Sequence, residues 1–188
     1  MERDLILVNS ENEIIGYGEK LETHQLGQLH RAFSIFVMDL RTGDMLLQRR
    51  ASSKYHSPGL WTNACCSHPR KGEEIQAALN ARLKEELGLD MDGRLLPFTP
   101  GEELQAGHFY ECGSFQYFAD FGDLKEHEID RVFLLPVEEL YPTLNPEEAD
   151  QLQWISREAL TTWLNKAPQD FTQWFQPALK VLQAAYQW

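Results

Sequence analysis

Ile75, Leu79, Leu83 and Leu87 recur four positions apart among polar residues, and Gly88 follows the last of them. That spacing lays one apolar stripe along a 3.6-residue period and predicts a helix over residues 73–87 that the glycine ends. Elsewhere the pattern shortens. Residues 5–8 and 14–17 predict short strands on either side of the turn-forming Asn9-Ser10-Glu11-Asn12. Residues 32–40 and 45–49 flank Arg41-Thr42-Gly43-Asp44, which predicts a hairpin with a glycine at its turn. Further strands are predicted at 94–98, 109–121, 128–135 and 151–155, with Pro142 and Pro146 in the loop before the last. Ser156 stands where it can cap a helix reaching about Asn165. Phe171, Trp174, Phe175, Ala178, Leu182 and Ala185 then keep helical spacing to the end. With no repeat or linker, the chain is expected to form one α+β domain over residues 1–188, a mixed sheet with helices packed on it.

Composition narrows the class. At 188 residues and 43% hydrophobic, the chain can build a full core. No apolar run approaches the roughly 18 residues of a membrane span, and MERDLILVNS is too charged for a signal peptide, so a cytoplasmic protein is expected. Cys65, Cys66 and Cys112 are odd in number, two of them adjacent, and cannot form a fully paired disulfide framework; reduced thiols fit the cytoplasm. A net charge of −12 argues against nucleic acid as partner. The basic residues gather in the first half, however, where Lys20, Arg49, Arg50, Lys54, Arg70, Lys71 and Arg82 flank the motif-bearing segments. A small anionic substrate would use them; ordinary surface charge accounts for them equally well. Composition sets no oligomeric state.

Two polar clusters carry candidate chemistry: TNACCSHP at residues 62–69 and Glu126-His127-Glu128 within KEHEIDR. In extended backbone Cys66 shares a face with His68, and Glu126 shares one with Glu128, while Cys65 and His127 point the other way. A thiol, an imidazole and two carboxylates in one cleft suit a metal-anchored acid/base site, because buried carboxylates are costly unless paired or metal-bound. Two unrelated polar strand faces are the plainer alternative. Gly72-Glu73 followed by Arg82-Leu83-Lys84-Glu85-Glu86-Leu87-Gly88 resembles the Nudix box, whose glutamates hold divalent metal on a diphosphate. Ala81 and Arg82 stand where that pattern has Arg and Glu, so one carboxylate is replaced by a cation. Glu86 and Arg82, one turn apart, can still hold a single Mg²⁺ and meet a phosphate. That favours diphosphate recognition over multi-metal cleavage.

Taken together, Glu19-Lys20, His24, His30-Arg31-Ala32-Phe33-Ser34, Gln48-Arg49-Arg50, Trp61-Thr62-Asn63, Cys65-Cys66-Ser67-His68-Pro69, the altered box and Glu126-His127-Glu128-Ile129-Asp130 resemble the type I isopentenyl-diphosphate isomerases. The resemblance implies a Nudix-like α/β/α fold. It implies reversible 1,3-allylic rearrangement of isopentenyl diphosphate to dimethylallyl diphosphate, with Cys66 and Glu128 as acid and base, Tyr117 relaying the proton of the carboxylate, and Trp174 covering the alkene. It further implies one divalent metal (Mn²⁺, Mg²⁺ or Zn²⁺) on His24, His30, His68, Glu126 and Glu128. A diphosphate held by Lys20, Arg50, Lys54 and Arg82 would carry Mg²⁺ bridged to Glu86 and the Cys66 carbonyl. The small-molecule substrate is thus a prenyl diphosphate. Cys66 is expected to reach its thiolate readily near metal or cations. His56, His108 and His127 are expected to be structural or exposed. The alternative reading is a Nudix-type hydrolase of a nucleoside or prenyl diphosphate; a third is a non-enzymatic metal-binding protein.

Overall fold

A computed structural model describes residues 4–99 and 101–188. In chain order its strands are β1 (Leu5–Val8), β2 (Ile14–Gly18), β3 (His30–Asp39), β4 (Met45–Arg50), β5 (Trp61–Asn63), β6 (Cys65–Ser67), β7 (Leu95–Leu96), β8 (Phe109–Asp120), β9 (Lys125–Val137) and β10 (Ala149–Ile155). Its α-helices are α1 (Lys20–Leu26), α2 (Ile75–Leu87), α3 (Arg157–Lys166) and α4 (Phe175–Ala185). One mixed sheet runs β10-β4-β3-β9-β8-β7, with β1 and β6 also pairing β3, β5 pairing β4, and β2 pairing β1. At its centre β3 and β9 are parallel, in register from His30 opposite Glu128 to Asp39 opposite Val137.

The alternation of these two strands sorts the core into two layers. Phe33, Ile35 and Val37 with Phe133 and Leu135 meet Ala78, Leu79, Leu83 and Leu87 of α2. Phe36 and Met38 with Val132 and Leu134 meet Leu160 of α3 and Phe175, Ala178, Leu179 and Leu182 of α4. This is the expected α/β/α arrangement, and its second layer positions the site. On the α4 side the even-numbered residues of β9 are apolar at Val132 and Leu134, then change to Asp130, Glu128 and Glu126 toward the strand's start. The same buried face that makes core under α4 becomes polar beyond it.

Several elements depart from the expected ones. Residues 94–98 shorten to Leu95–Leu96 because side chains of α2 satisfy the neighbouring backbone: Asn80 bonds both the N–H and carbonyl of Gly93, and Gln76 accepts from Leu95 N. Strand β9 starts at Lys125 and continues to Val137, so it includes the whole carboxylate cluster. The last helix begins only at Phe175; Phe171 is extended and bridges to Trp61, and Trp174 is the residue before the helix. Pro177 explains the start, since it has no N–H to offer Gln173 and belongs in a first turn. Helix α1 gave no stripe to read, because its Leu21 and Leu26 are exposed.

Candidate active site

Strand β9 works with both faces. Lys125 Nζ donates to Gln25 O at 3.4 Å, and His127 Nδ1 lies 3.0 Å from Gly27 O, so the odd-numbered residues grip the end of α1. Gly27 caps that helix at φ +65°, and a Cβ there would stand 2.9 Å from the Lys125 side chain. Seated this way, α1 turns His24 toward the even-numbered Glu126 and Glu128, which are buried. His30 comes from the register position opposite Glu128 on β3. His68 follows β6 and places Nε2 2.7 Å from Glu128 Oε1.

One ligand atom from each of His24, His30, His68, Glu126 and Glu128 lies within 4.8 Å of all the others. Nδ1 of His24 is 2.6 Å from Lys20 O and Nδ1 of His30 is 2.8 Å from Gln28 O, contacts that place the proton on Nδ1 and leave the Nε2 lone pair unused. Those two Nε2 atoms, and Oε2 of Glu126, are buried without a hydrogen-bond partner. Three inward-facing orphan acceptors among two carboxylates and three imidazoles fit a divalent cation of the first row or Mg²⁺. Burial holds His30 down at about 4 and His68 well below the usual imidazole range. Burial and the charge of Glu126 push Glu128 well up, whereas Glu126, despite its burial, is held down by His24 and His56. Burial depresses His24 too, but the Glu126 carboxylate 3.5 Å away outweighs it and raises it overall.

Beside this cluster, Cys66 Sγ donates to Asn63 Oδ1 at 3.0 Å and accepts from Trp174 Nε1 at 3.2 Å. Ser34, its register partner on β3, lies 3.6 Å away and donates to Asp130 Oδ2 at 2.8 Å. Burial, then Asp130, pushes the Cys66 thiol up to about 12. In the protein without bound metal Cys66 is thus held as a thiol, a group with a proton to give. Tyr117, opposite Glu128 across the β8–β9 ladder, lines the same cleft as that carboxylate.

Cys66, His68, Tyr117, Glu126, Glu128 and Trp174 open on one cleft of about 240 Å³. Lys20, Arg50, Lys54 and Arg82 line it as well, and Nε of both arginines is buried without a partner. Lys54 pairs with Glu148 at 2.5 Å, Arg82 pairs with Glu85, and Arg50 lies 5.2 Å from the centroid of the Trp174 ring. Arg49 faces away to Asp150 at 2.6 Å, and Cys65 is fully buried in the core. Glu86 lies in the wall, its carboxyl pushed by burial up to about 7. His127 and His108 stay outside the cleft lining, but His56 does not. It is buried, faces the cleft and sits 2.8 Å from Glu126 Oε1, so of the two expected placements, structural or exposed, it is not the exposed one. No periodicity marks a loop histidine. Asp130 was legible, because it continues the alternation of Glu126 and Glu128.

The NUDIX domain model matches residues 28–175. The isopentenyl-diphosphate Delta-isomerase of Serratia proteamaculans is 43% identical over 98% of this chain and 93% of its own length. Isopentenyl-diphosphate Delta-isomerase 2 of Aromatoleum aromaticum is 41% identical over 95% and 86%. Among solved structures, a Deinococcus radiodurans protein superposes with a TM-score of 0.68 at 19% identity, covering 97% of this chain and 99% of that one. The MutT protein of Methanosarcina mazei follows at 0.59 and 16%, covering 83% and 94%; both show a shared fold. Identity of this extent over almost the whole of both sequences places the chain in the isopentenyl-diphosphate Delta-isomerase family, carried on a NUDIX domain.

Proposed function

We propose that this enzyme, an isomerase of isopentenyl diphosphate to dimethylallyl diphosphate, moves the double bond with Cys66 and Glu128 acting as the acid and base. The observation that carries the assignment is their shared cleft: Cys66 on β6 and Glu128 on β9 flank β3 from opposite sides and line the same pocket as four basic side chains. An unactivated alkene must gain a proton at its terminal carbon, leaving a tertiary carbocation at the branched carbon. The neighbouring methylene then loses a proton to a second group and the double bond re-forms. No atom is gained or lost, and running the steps backwards exchanges the two roles. Each positioned group contributes roughly 10²- to 10⁴-fold. Tyr117, the cross-strand partner of Glu128, would give that carboxyl a proton path, and the Trp174 ring faces the cation with a stabilisation of about 0.5 to 2 kcal/mol.

Lys20, Arg50, Lys54 and Arg82 are the diphosphate ligands in this reading, with arginine forks suited to paired phosphate oxygens. A divalent ion on His24, His30, His68, Glu126 and Glu128, and Mg²⁺ shared by Glu86 and the diphosphate, would supply positive charge that anchors Glu128 and neutralises the phosphates. Arg82, standing where the Nudix pattern has a carboxylate, disfavours hydrolysis. The whole of residues 1–188 acts as one domain, and the cytoplasm suits a protein whose thiols are free, Cys66 among them. No helix among the described residues is long and apolar enough to cross a membrane.

The test is incubation with isopentenyl diphosphate and Mg²⁺ in D₂O, followed by NMR. Deuterated dimethylallyl diphosphate without phosphate release supports the proposal; phosphate release would replace it with hydrolysis.

A further inference from the structure

The acid, base and ligand roles leave His56 without a task, yet it is among the most constrained side chains in the cleft. It follows β4 in a loop whose next residue, Ser57, has φ +49°, a conformation uncommon for a side chain with a Cβ. Its ring stacks on Phe121, with centroids 5.1 Å apart and 25° between planes, and meets Trp174 edge-on at 5.8 Å. Its carbonyl accepts from Arg50 Nη2 at 3.2 Å. Ser57 Oγ lies 3.5 Å from Nδ1, where its hydroxyl can donate and leave the ring proton on Nε2. That Nε2 meets Glu126 Oε1 at 2.8 Å.

The two oxygens of Glu126 are thereby divided. Oε1 is taken by His56, while Oε2 has no hydrogen-bond partner and lies 3.5 Å from His24 Nε2, inside the five-residue cluster. A carboxylate so held cannot swing to present both oxygens. We propose that His56 is a positioning residue for the metal centre: its Nε2–H fixes Glu126 as a ligand through Oε2 alone, while its ring meets Trp174 and its backbone carbonyl holds Arg50. The inference rests on reading the five-residue cluster as a divalent-metal site.

Two substitutions separate donor from ring. His56→Phe keeps the stack on Phe121 and loses the N–H; His56→Gln places an amide N–H where Nε2 was and loses the stack. Metal-free wild type and both variants are titrated with Mn²⁺, reading free ion by electron paramagnetic resonance, and then assayed with isopentenyl diphosphate at saturating Mn²⁺. His56→Phe is expected to weaken Mn²⁺ binding about 10- to 100-fold, with His56→Gln recovering most of it, and KM at saturating metal staying within about twofold. Wild-type affinity in His56→Phe, or equal loss in both variants, overturns the proposal. A wild type that binds no Mn²⁺ overturns the metal reading itself, a different result from a wild type that binds and a Phe variant that matches it. Should circular dichroism show His56→Phe unfolded, His56→Asn, too short to reach Glu126, takes its place beside His56→Gln: weakened binding that Gln recovers supports the proposal, and wild-type affinity or equal loss overturns it.

Discussion

Trp174 Nε1 donates to Cys66 Sγ across 3.2 Å, joining the residue ahead of α4 to β6. A donor aimed at sulfur favours thiolate over thiol, so it opposes the burial that pushes Cys66 up. Trp174→Phe keeps an aromatic face and removes the N–H. Losing one hydrogen bond to a charged group, about 1.5 kcal/mol, raises the thiol by about one pH unit. Alkylation of Cys66 by iodoacetamide at pH 8 should slow about tenfold, and kcat should fall less in Trp174→Phe than in Trp174→Ala, which also loses the face. Equal kcat in the two variants would remove the ring from the mechanism.

Cys65 and Cys66 are neighbours with opposite environments. Cys66 opens on the cleft; Cys65 is fully buried against α2. Cys66→Ala and Glu128→Gln are expected to abolish turnover. Cys65→Ala should keep kcat within about threefold and cost about 1 kcal/mol in urea unfolding, the effect of deleting one buried atom. Turnover in Cys66→Ala near the wild-type level sinks the acid/base assignment.

The same alternation separates Arg50 from Arg49. Only Arg50 lines the cleft, with Nε buried and unpartnered, while Arg49 is bound to Asp150 at the surface. Arg50→Ala is expected to raise KM roughly 10- to 100-fold, from the loss of one charge-assisted bond of about 1.5 to 3 kcal/mol. Arg49→Ala should stay within about twofold. Steady-state kinetics on both decide it.

How much of this was legible follows from where periodicity operates. Strand alternation is strict, so it put Cys66 on one face with His68 and Glu126 on one face with Glu128, with Cys65 and His127 turned away, before any fold was known; the choice of Arg50 over Arg49 came from the family resemblance. A stripe over four turns likewise located α2 and its end at Gly88. Signals fail where an element is short or the contact is long-range. α1 has seven residues with its leucines exposed, and Phe171 leaves helical spacing because its neighbour Thr172 pairs with Trp61 O, a partner more than a hundred residues distant. His56 stands in a loop, where only the folded chain shows what its ring meets.

The five-residue cluster buries two carboxylates and two imidazoles beside a half-buried third, with three orphan acceptors, so a bound cation relieves the cost of burying them. Mn²⁺ at about 100 times its dissociation constant should stabilise the protein by about 2.7 kcal/mol, which for a chain of this size is a rise in Tm of roughly 5 to 10 °C. A chelator should reverse the rise, and Glu126→Gln should abolish it. Calorimetry with and without chelator measures the difference; a Tm indifferent to Mn²⁺ removes the metal from this cluster.

Asp130 gives the clearest dependence on pH. Burial pushes its carboxyl up to about 7, against about 4 in an unfolded chain, although Ser34 donates to it. A raised acid binds its proton more tightly in the folded state. It therefore contributes stability below about pH 4 that is lost as pH rises through 7. Asp130→Asn keeps an acceptor for Ser34 and cannot ionise. Titrations shared by both proteins, those of Glu86, His30 and His68 among them, cancel in the difference. The stability of Asp130→Asn relative to wild type should thus grow between pH 4 and 7 by on the order of 3 kcal/mol and then level off. Urea unfolding of both at pH 4.5, 6 and 8, with chelator present, measures it. A gap that stays flat or shrinks with pH would mean that Asp130 is ionised at its burial site throughout, and that another positive group lies against it.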